Sequence, residues 1–170
     1  THTLYLLVYV DDILIAGPTG ATIDPVKSSL QSTFDVHDLG VANWFLGMRL
    51  EREAGSLKLS QSTMARELVS KFGMAGSTPK ATPLTTGYKP NKTDGELLTG
   101  DEKTAYAELV GSLMYLTVCT RPDIAQAVGT LARYMSCPTT IHWQAAKGVL
   151  RYLAGTTTVT ATASTAVAEI

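Results

Sequence analysis

The stretch LYLLVYVDDILIA, residues 4–16, sets two adjacent carboxylates, Asp11 and Asp12, between two apolar runs. Neither run alternates with polar residues, which is typical of β-strands covered on both faces. The short acidic interruption predicts a β-hairpin with both acids at its tip. A two-residue type I′ turn needs positive φ at its central residues, and Asp tolerates this better than most residues.

The acidic pair has two interpretations that the local pattern leaves equally open. In the first, Asp11 and Asp12 are solvated residues of a surface turn. In the second, a cation relieves the repulsion between the two like charges. Mg²⁺ suits such a site because it is usually held by one or two carboxylates together with substrate phosphates, and Mn²⁺ is a second candidate.

Composition limits the classes of protein that fit. The 170 residues, 45% hydrophobic, predict one domain or one and a part. A net charge of −1 indicates that any nucleic-acid contact comes from a local patch. Two cysteines without metal-binding spacing favour a reducing intracellular compartment, and we expect no membrane span or signal peptide. The chain begins with Thr1, and we interpret the chain as a piece of a longer polypeptide.

Residues 17–74 predict a mixed set of elements. Asp24-Pro25 predicts the start of a helix, and the alternation over residues 44–53 predicts a single half-buried strand. A turn at residues 54–56 then leads into a return strand. A further helix is expected to end at Gly73.

The second half of the chain predicts a linker and then helices. Residues 75–100, rich in Thr, Pro, Gly and Lys, predict a long linker and the best internal boundary. Apolar stripes over residues 101–156 predict three helices, the first with a capping box formed by Thr99 and Glu102. The Thr/Ala run in residues 157–170 has no core pattern and predicts a disordered tail.

An ordered series of motifs resembles the reverse transcriptases of copia-type (Ty1/copia) retrotransposons. The motifs cover about residues 3–156 in the family's order: LVYVDDILIAG at 7–17, DLG at 38–40, FLG at 45–47, LSQ at 59–61, TPL at 82–84, LVGSLMYL at 109–116, TRPDI at 120–124, HWQAAK at 142–147 and LRYLAGT at 150–156. One such motif would be weak, whereas the series is specific.

The resemblance implies an α+β fold. Residues 1–74 would form the C-terminal part of a polymerase palm, with a catalytic hairpin, a primer-side hairpin and a helix. Residues 75–100 would be the linker, and residues 101–156 a helical thumb or connection-like segment. Residues 157–170 depart from the family, in which an RNase H domain is expected to follow.

The resemblance also implies RNA-directed DNA synthesis by two-metal nucleotidyl transfer. Asp11 would bridge both Mg²⁺ ions and Asp12 would be the weaker ligand. Tyr9 would contact the primer end or fill space, and the segment Phe45, Leu46 and Gly47 would support the primer. The implied partners are an RNA or DNA template-primer, deoxynucleotides and the rest of the polyprotein, in a cytoplasmic virus-like particle.

The family needs a third aspartate and nucleotide-binding fingers, which these 170 residues lack, so we expect no polymerase activity from the chain alone. The alternatives are a catalytically inactive remnant or co-opted interaction module, and a small magnesium-binding or structural domain unrelated to polymerases. A hairpin without the rest of its sheet would expose an apolar edge, which predicts an oligomeric or poorly soluble isolated chain.

Basic residues in the helical half suggest a second kind of contact. Arg121, Lys147 and Arg151 could bind phosphates of the template and primer, and the alternative is a solvated helix face. Trp143 could stack on a base, but its place near the start of an amphipathic helix favours the core.

Overall fold

The computed structural model describes residues 3–164, and these form two compact units. Residues 3–59 with 162–164 make one unit, and Ser60–Ala161 make the other. Small antiparallel sheets and α-helices occur together, so the α+β class is confirmed. Within the described residues, the helices are too short or too polar to cross a membrane.

The first unit opens with a two-stranded hairpin and a helix. Strands β1 (Tyr5–Tyr9) and β2 (Asp12–Ala16) pair antiparallel, and helix α1 spans Gly20–Thr33. The predicted helix start at Asp24-Pro25 is wrong, because Thr19 caps the helix and Pro25 lies inside it. Thr22 reinforces this earlier start, since its hydroxyl donates to the Thr19 carbonyl at 2.7 Å.

A second sheet contains four strands in the order β3-β4-β5-β6. Their bounds are β3 Trp44–Phe45, β4 Met48–Glu53, β5 Ser56–Ser60 and β6 Ala161–Ser164. The single strand predicted over residues 44–53 is wrong, because the chain reverses at Leu46 and Gly47, whose φ angles are 50° and 70°. Two consecutive positive φ angles are the requirement of a type I′ turn.

The predicted disordered tail is also partly wrong. Residues 161–164 form β6, which hydrogen-bonds to β5 at the edge of the sheet. The remainder of the predicted tail, residues 165–170, lies outside the described residues.

Helices dominate the second unit: α2 Ser62–Lys71, α3 Gly100–Cys119, α4 Ala125–Ala132 and α5 Thr140–Gly155, with a 3₁₀ turn at Pro122–Ile124. The predicted apolar stripes are confirmed as the core. Its fully or almost fully buried members include Leu109, Leu113, Leu116, Ile124, Val128, Leu131, Ala146, Val149, Leu150 and Leu153. Trp143 packs against this core, with its ring edge-on to Phe72 at 5.9 Å, as expected.

Two polar details of the core differ from or add to the predictions. Thr99 is the N-cap of α3, but the predicted capping box does not form because its side chain makes no cap hydrogen bond. Tyr106 is fully buried, and its hydroxyl donates a hydrogen bond to the Leu131 carbonyl at 2.9 Å.

Residues 75–99, here called the strap, are not a linker between units. The strap belongs to the second unit and runs along the helices of that unit. It has no helix or extended strand of its own. Its backbone is held at several points: Leu98 donates to the Pro138 carbonyl at 2.8 Å, and Pro90 accepts from the Tyr134 hydroxyl at 2.7 Å. Leu98 is buried. Proline prevented regular structure in the strap but did not prevent docking.

Gly95 allows the strap to approach α5 closely. Its φ is +79°, and a Cβ there would lie 2.6 Å from Thr140 Oγ1 and 2.9 Å from Ile141 Cγ1. We expect Gly95→Ala to destabilise the chain by about 2–4 kcal/mol in urea unfolding, since it combines backbone strain with overpacking. Gly87→Ala is the matched control, because its φ is +76° with no atom within 4 Å, and it should cost only about 1 kcal/mol. Equal losses for the two variants would refute the close-contact explanation.

His142 couples the start of α5 to pH. Its ring is fully buried, stacks on Tyr134 at 4.0 Å, and accepts a hydrogen bond from the Thr139 N–H through Nδ1 at 3.0 Å. Burial lowers the pKa of His142, and the charge of Asp94 opposes this only in part. The unfolded chain therefore takes up the proton first as the pH falls.

We therefore expect the free energy of unfolding to decrease as the pH is lowered from about 7.5 to about 5.5. His142 contributes stability that is complete above its unfolded pKa of about 6.5 and is lost as the pH falls below that value, by at most about 1.4 kcal/mol per pH unit. Urea unfolding should show this loss in the wild type but not in His142→Asn, whose side-chain oxygen can replace Nδ1 as acceptor. His37→Gln, at an exposed position, should keep the wild-type slope. Equal slopes in the wild type and His142→Asn would contradict the assignment.

Candidate active site and nucleic-acid contacts

The tip of the first hairpin is a two-residue turn made by Val10 and Asp11. Tyr9 pairs with Asp12, so Asp12 is the first residue of β2 and only Asp11 lies in the turn. The expected positive φ at the acids is wrong: the residue with positive φ is Val10, at 51°. This conformation is strained for a β-branched residue and costs about 1–3 kcal/mol. The strained residue of the turn therefore directly precedes Asp11.

Behind this tip β1 is exposed and β2 is half-buried over residues 14–16, so neither strand is covered on both faces as predicted. The β1 side chains expose 52–68% of their surface, and Val10 exposes 83%. The apolar pattern thus identified an apolar surface, but the described residues do not bury it. The prediction that the isolated chain is oligomeric or poorly soluble remains a prediction, and this exposure supports it.

Asp11 and Asp12 are both exposed at this tip. Within residues 3–164, neither carboxylate forms a hydrogen bond or an ion pair with another side chain. The same residues contain no group of three or more His, Cys, Asp or Glu side chains that could hold a metal ion. The oxygens available to a cation are therefore two free carboxylates, a donor set that suits Mg²⁺ with water and phosphate as its other ligands.

Phe45, Leu46 and Gly47, the predicted primer-side residues, form a tight turn that the sequence pattern did not predict, since that pattern placed the turn of the second hairpin at residues 54–56. Phe45 pairs with Met48, and the turn between them is formed by Leu46 and Gly47. Phe45 and Leu46 are half-buried, whereas Gly47 is exposed. The three residues thus form a compact tip that could lie along a ligand.

Arg121 was predicted to bind phosphate, and its position corrects that prediction. Only 3% of its side chain is exposed, and its guanidinium donates to both carboxylate oxygens of Asp123 at 2.9 and 2.7 Å. It also donates to the backbone carbonyl and the hydroxyl of Thr156. Arg121 therefore connects the start of the 3₁₀ turn to the end of α5 and is not available to a nucleic acid.

Lys147 and Arg151 remain accessible on α5. Both are half-buried, Lys147 Nζ lies 5.0 Å from the centre of the Trp143 ring, and Arg151 donates from Nε to the Thr78 carbonyl at 2.7 Å. The sequence did not identify Lys80, which the strap carries to the same helix. Nothing in the local sequence indicated it, because its position depends on the docking of the strap.

Asp11 and Asp12 are thus two adjacent exposed carboxylates at the tip of a hairpin in an α+β chain. Residues 1–86, half of the chain, match the family model described as reverse transcriptase (RNA-dependent DNA polymerase). The chain belongs to this reverse transcriptase family, and the predicted resemblance to its copia-type members is confirmed.

Three of the relatives are polyproteins of plant transposons. The chain is 44% identical over 160 residues to the retrovirus-related Pol polyprotein from transposon TNT 1-94 of Nicotiana tabacum, covering 91% of this chain and 12% of the relative. It is 41% and 40% identical over 153 residues to those from transposons RE2 and RE1 of Arabidopsis thaliana, covering 90% of this chain and 10% of each relative. The chain thus spans about a tenth of these relatives. No solved structure matches it.

Proposed function

We propose that this chain is the segment of a copia-type Pol polyprotein that carries metal-binding carboxylates for RNA-directed DNA synthesis. The observation that supports the proposal is the free pair Asp11 and Asp12 at a hairpin tip inside the part matched by the family model. Its palm would comprise residues 1–74, with the two hairpins, α1 and α2, and its thumb or connection-like segment would comprise the helices of residues 101–156.

The reaction would be nucleotidyl transfer. The primer 3′ hydroxyl oxygen forms a bond to the α-phosphorus of a deoxynucleoside triphosphate, the bond from that phosphorus to the oxygen bridging to the β-phosphate breaks, and pyrophosphate leaves. Asp11 and Asp12 would hold Mg²⁺, which supplies positive charge to the attacking and leaving oxygens. The hydroxyl proton passes to water.

The other predicted residues would orient the nucleic acid. Tyr9, exposed beside the acids, would press on the primer end, and the tip formed by Phe45, Leu46 and Gly47 would support the primer strand. Because the described residues supply no third metal ligand, the remaining ligands would come from elsewhere in the polyprotein. We therefore expect no nucleotide incorporation by the 170 residues alone.

Metal binding can be tested on the chain itself with Mn²⁺ as a paramagnetic probe. Mn²⁺ should broaden the backbone NMR signals of Val10, Asp11 and Asp12 more than those of α1, and added Mg²⁺ should restore them. The double variant Asp11→Asn, Asp12→Asn should abolish the selective broadening. Asp35→Asn, at another exposed acid, should leave it intact. Equal broadening in the wild type and the double variant would refute a metal site at the tip.

A further inference from the structure

The interior of α5 contains a buried glycine, Gly148, although Ala would favour the helix there by about 1 kcal/mol. A Cβ at Gly148 would lie 3.1 Å from Lys80 Nζ and 3.6 Å from the Pro83 carbonyl oxygen. The absence of a side chain therefore leaves the space in which the strap lays the Lys80 ammonium group against α5.

Gly148 has a cation on either side along the helix. Lys147 and Arg151 are four residues apart, so they lie one above the other on one face, and Gly148 is next to both. Lys80 Nζ thus lies against the stretch of α5 that carries Lys147 and Arg151, and we call these three residues the cationic patch.

The strap is fixed around Lys80 by hydrogen bonds to both the backbone and the side chain of Arg151. The Lys80 N–H donates to the Arg151 carbonyl at 3.3 Å, and Arg151 Nε donates to the Thr78 carbonyl at 2.7 Å. Pro79 packs directly on Gly155, where a Cβ would approach within 2.8 Å. These bonds fix the backbone around Lys80, so little further conformational entropy is lost when the patch binds a ligand.

The cationic patch has no acidic partner among the described residues. The five ion pairs found among the described residues involve other cations: Lys27, Arg49, Lys58, Lys71 and Arg121. Three neighbouring positive charges repel one another, and an anion placed among them would relieve that repulsion. All three side chains are half-buried. The Lys147 ammonium lies over the Trp143 ring and Arg151 Nε donates to the Thr78 carbonyl, and neither contact supplies a negative charge.

We propose that the cationic patch binds consecutive phosphates of a nucleic-acid backbone, with Lys80 of the strap as the third contact. The anion site follows from the geometry alone, whereas its assignment to nucleic acid rests on the proposed function. The strap then has a role in binding that a linker could not have, because its docking brings Lys80 to the helix that carries the other two cations.

The test is the salt dependence of binding to a short blunt-ended RNA–DNA duplex, measured by fluorescence anisotropy on the 170-residue chain. EDTA is present, so the result does not depend on metal binding at Asp11 and Asp12. Lys80→Gln should lower the affinity roughly eightfold at a salt concentration of 0.1 M and reduce the slope of log K against log salt by about 1. Lys147→Gln should act similarly.

Lys103→Gln is the matched control, because Lys103 is exposed on α3 and the variant has the same net charge as Lys80→Gln. It should leave the slope unchanged. Equal effects of Lys80→Gln and Lys103→Gln would overturn the proposal, as would preferential binding of the wild type to anionic lipid vesicles. Thermal unfolding of each variant verifies that the fold is retained. Duplex binding that depends on Lys80 would stand even if Mn²⁺ failed to bind at the hairpin.

Discussion

Replacing Asp11 by Asn, in a polyprotein segment long enough to extend a primed template, is expected to reduce nucleotide incorporation by at least about a hundredfold. The variant keeps the size and shape of the side chain but removes the negative charge that would hold Mg²⁺. Charge compensation by such an ion contributes several kcal/mol to the transition state, and each 1.36 kcal/mol corresponds to a factor of about ten in rate. The measurement is steady-state incorporation on an RNA template with a DNA primer.

Two further variants make this test specific. Asp12→Asn should reduce incorporation less than Asp11→Asn, because Asp12 belongs to β2 and is proposed as the weaker ligand. Asp35→Asn, at an exposed acid elsewhere in the same unit, should have no effect. If Asp11→Asn incorporated nucleotides within twofold of the wild type, the proposed role of the hairpin tip would be excluded.

The helical core was predictable because burial alone determines it. In α3 and α5, apolar residues recur at spacings of three and four, and the structure places Leu113 and Leu150 with no exposed surface. The ends of α5 were also predictable, since Thr139 caps the helix and Gly155 closes it. Such features depend on neighbours in sequence, which a single chain displays directly.

Strand boundaries were less predictable because alternation continues through a tight reversal. Residues 44–53 alternate as a single strand would, but the type I′ turn at Leu46 and Gly47 puts Phe45 opposite Met48 and Trp44 opposite Arg49. The reversal therefore changes which residues share a face. Gly47 was the local indication of a turn, and the apolar Leu46 before it concealed that indication.

The candidate site shows the same division. The acidic pair and its hairpin were predictable, whereas the strain at Val10 and the exposure of β1 depend on what surrounds the turn. Lys80 could not be found in the sequence because the strap reads as a linker until its docking is known. A count of basic residues also misjudged Arg121, since sequence alone did not reveal that Asp123 and Thr156 supply acceptors for its guanidinium.

Arg121→Ala is expected to destabilise the chain by about 1.5–3 kcal/mol, because it removes a buried guanidinium that donates charge-assisted hydrogen bonds to the partly exposed Asp123. Asp123 would lose both hydrogen bonds from the guanidinium, and the Thr156 carbonyl at the end of α5 would lose its side-chain donor. Tyr152 would still donate to Asp123 at 2.8 Å, which cannot replace the lost positive charge. Arg121→Lys should fall between the wild type and Ala, since one ammonium cannot match the planar fork. Urea unfolding followed by circular dichroism gives these values.

The pH dependence of the free energy of unfolding distinguishes loss of this ion pair from loss of packing contacts. The hydrogen bonds from Arg121 are the largest cause holding the pKa of Asp123 below its usual range, with a smaller contribution from Tyr152. The pair therefore stabilises the fold above the usual carboxyl pKa of about 3.9, and this stability is lost as the pH falls towards the lower folded value. In Arg121→Ala, much of that acid-dependent loss should disappear. Arg133→Ala, which removes an exposed arginine, should stay within about 0.5 kcal/mol of the wild type and keep its pH profile. A loss below about 1 kcal/mol for Arg121→Ala would mean that solvent replaces the guanidinium, and Arg121 would again be a candidate for phosphate binding.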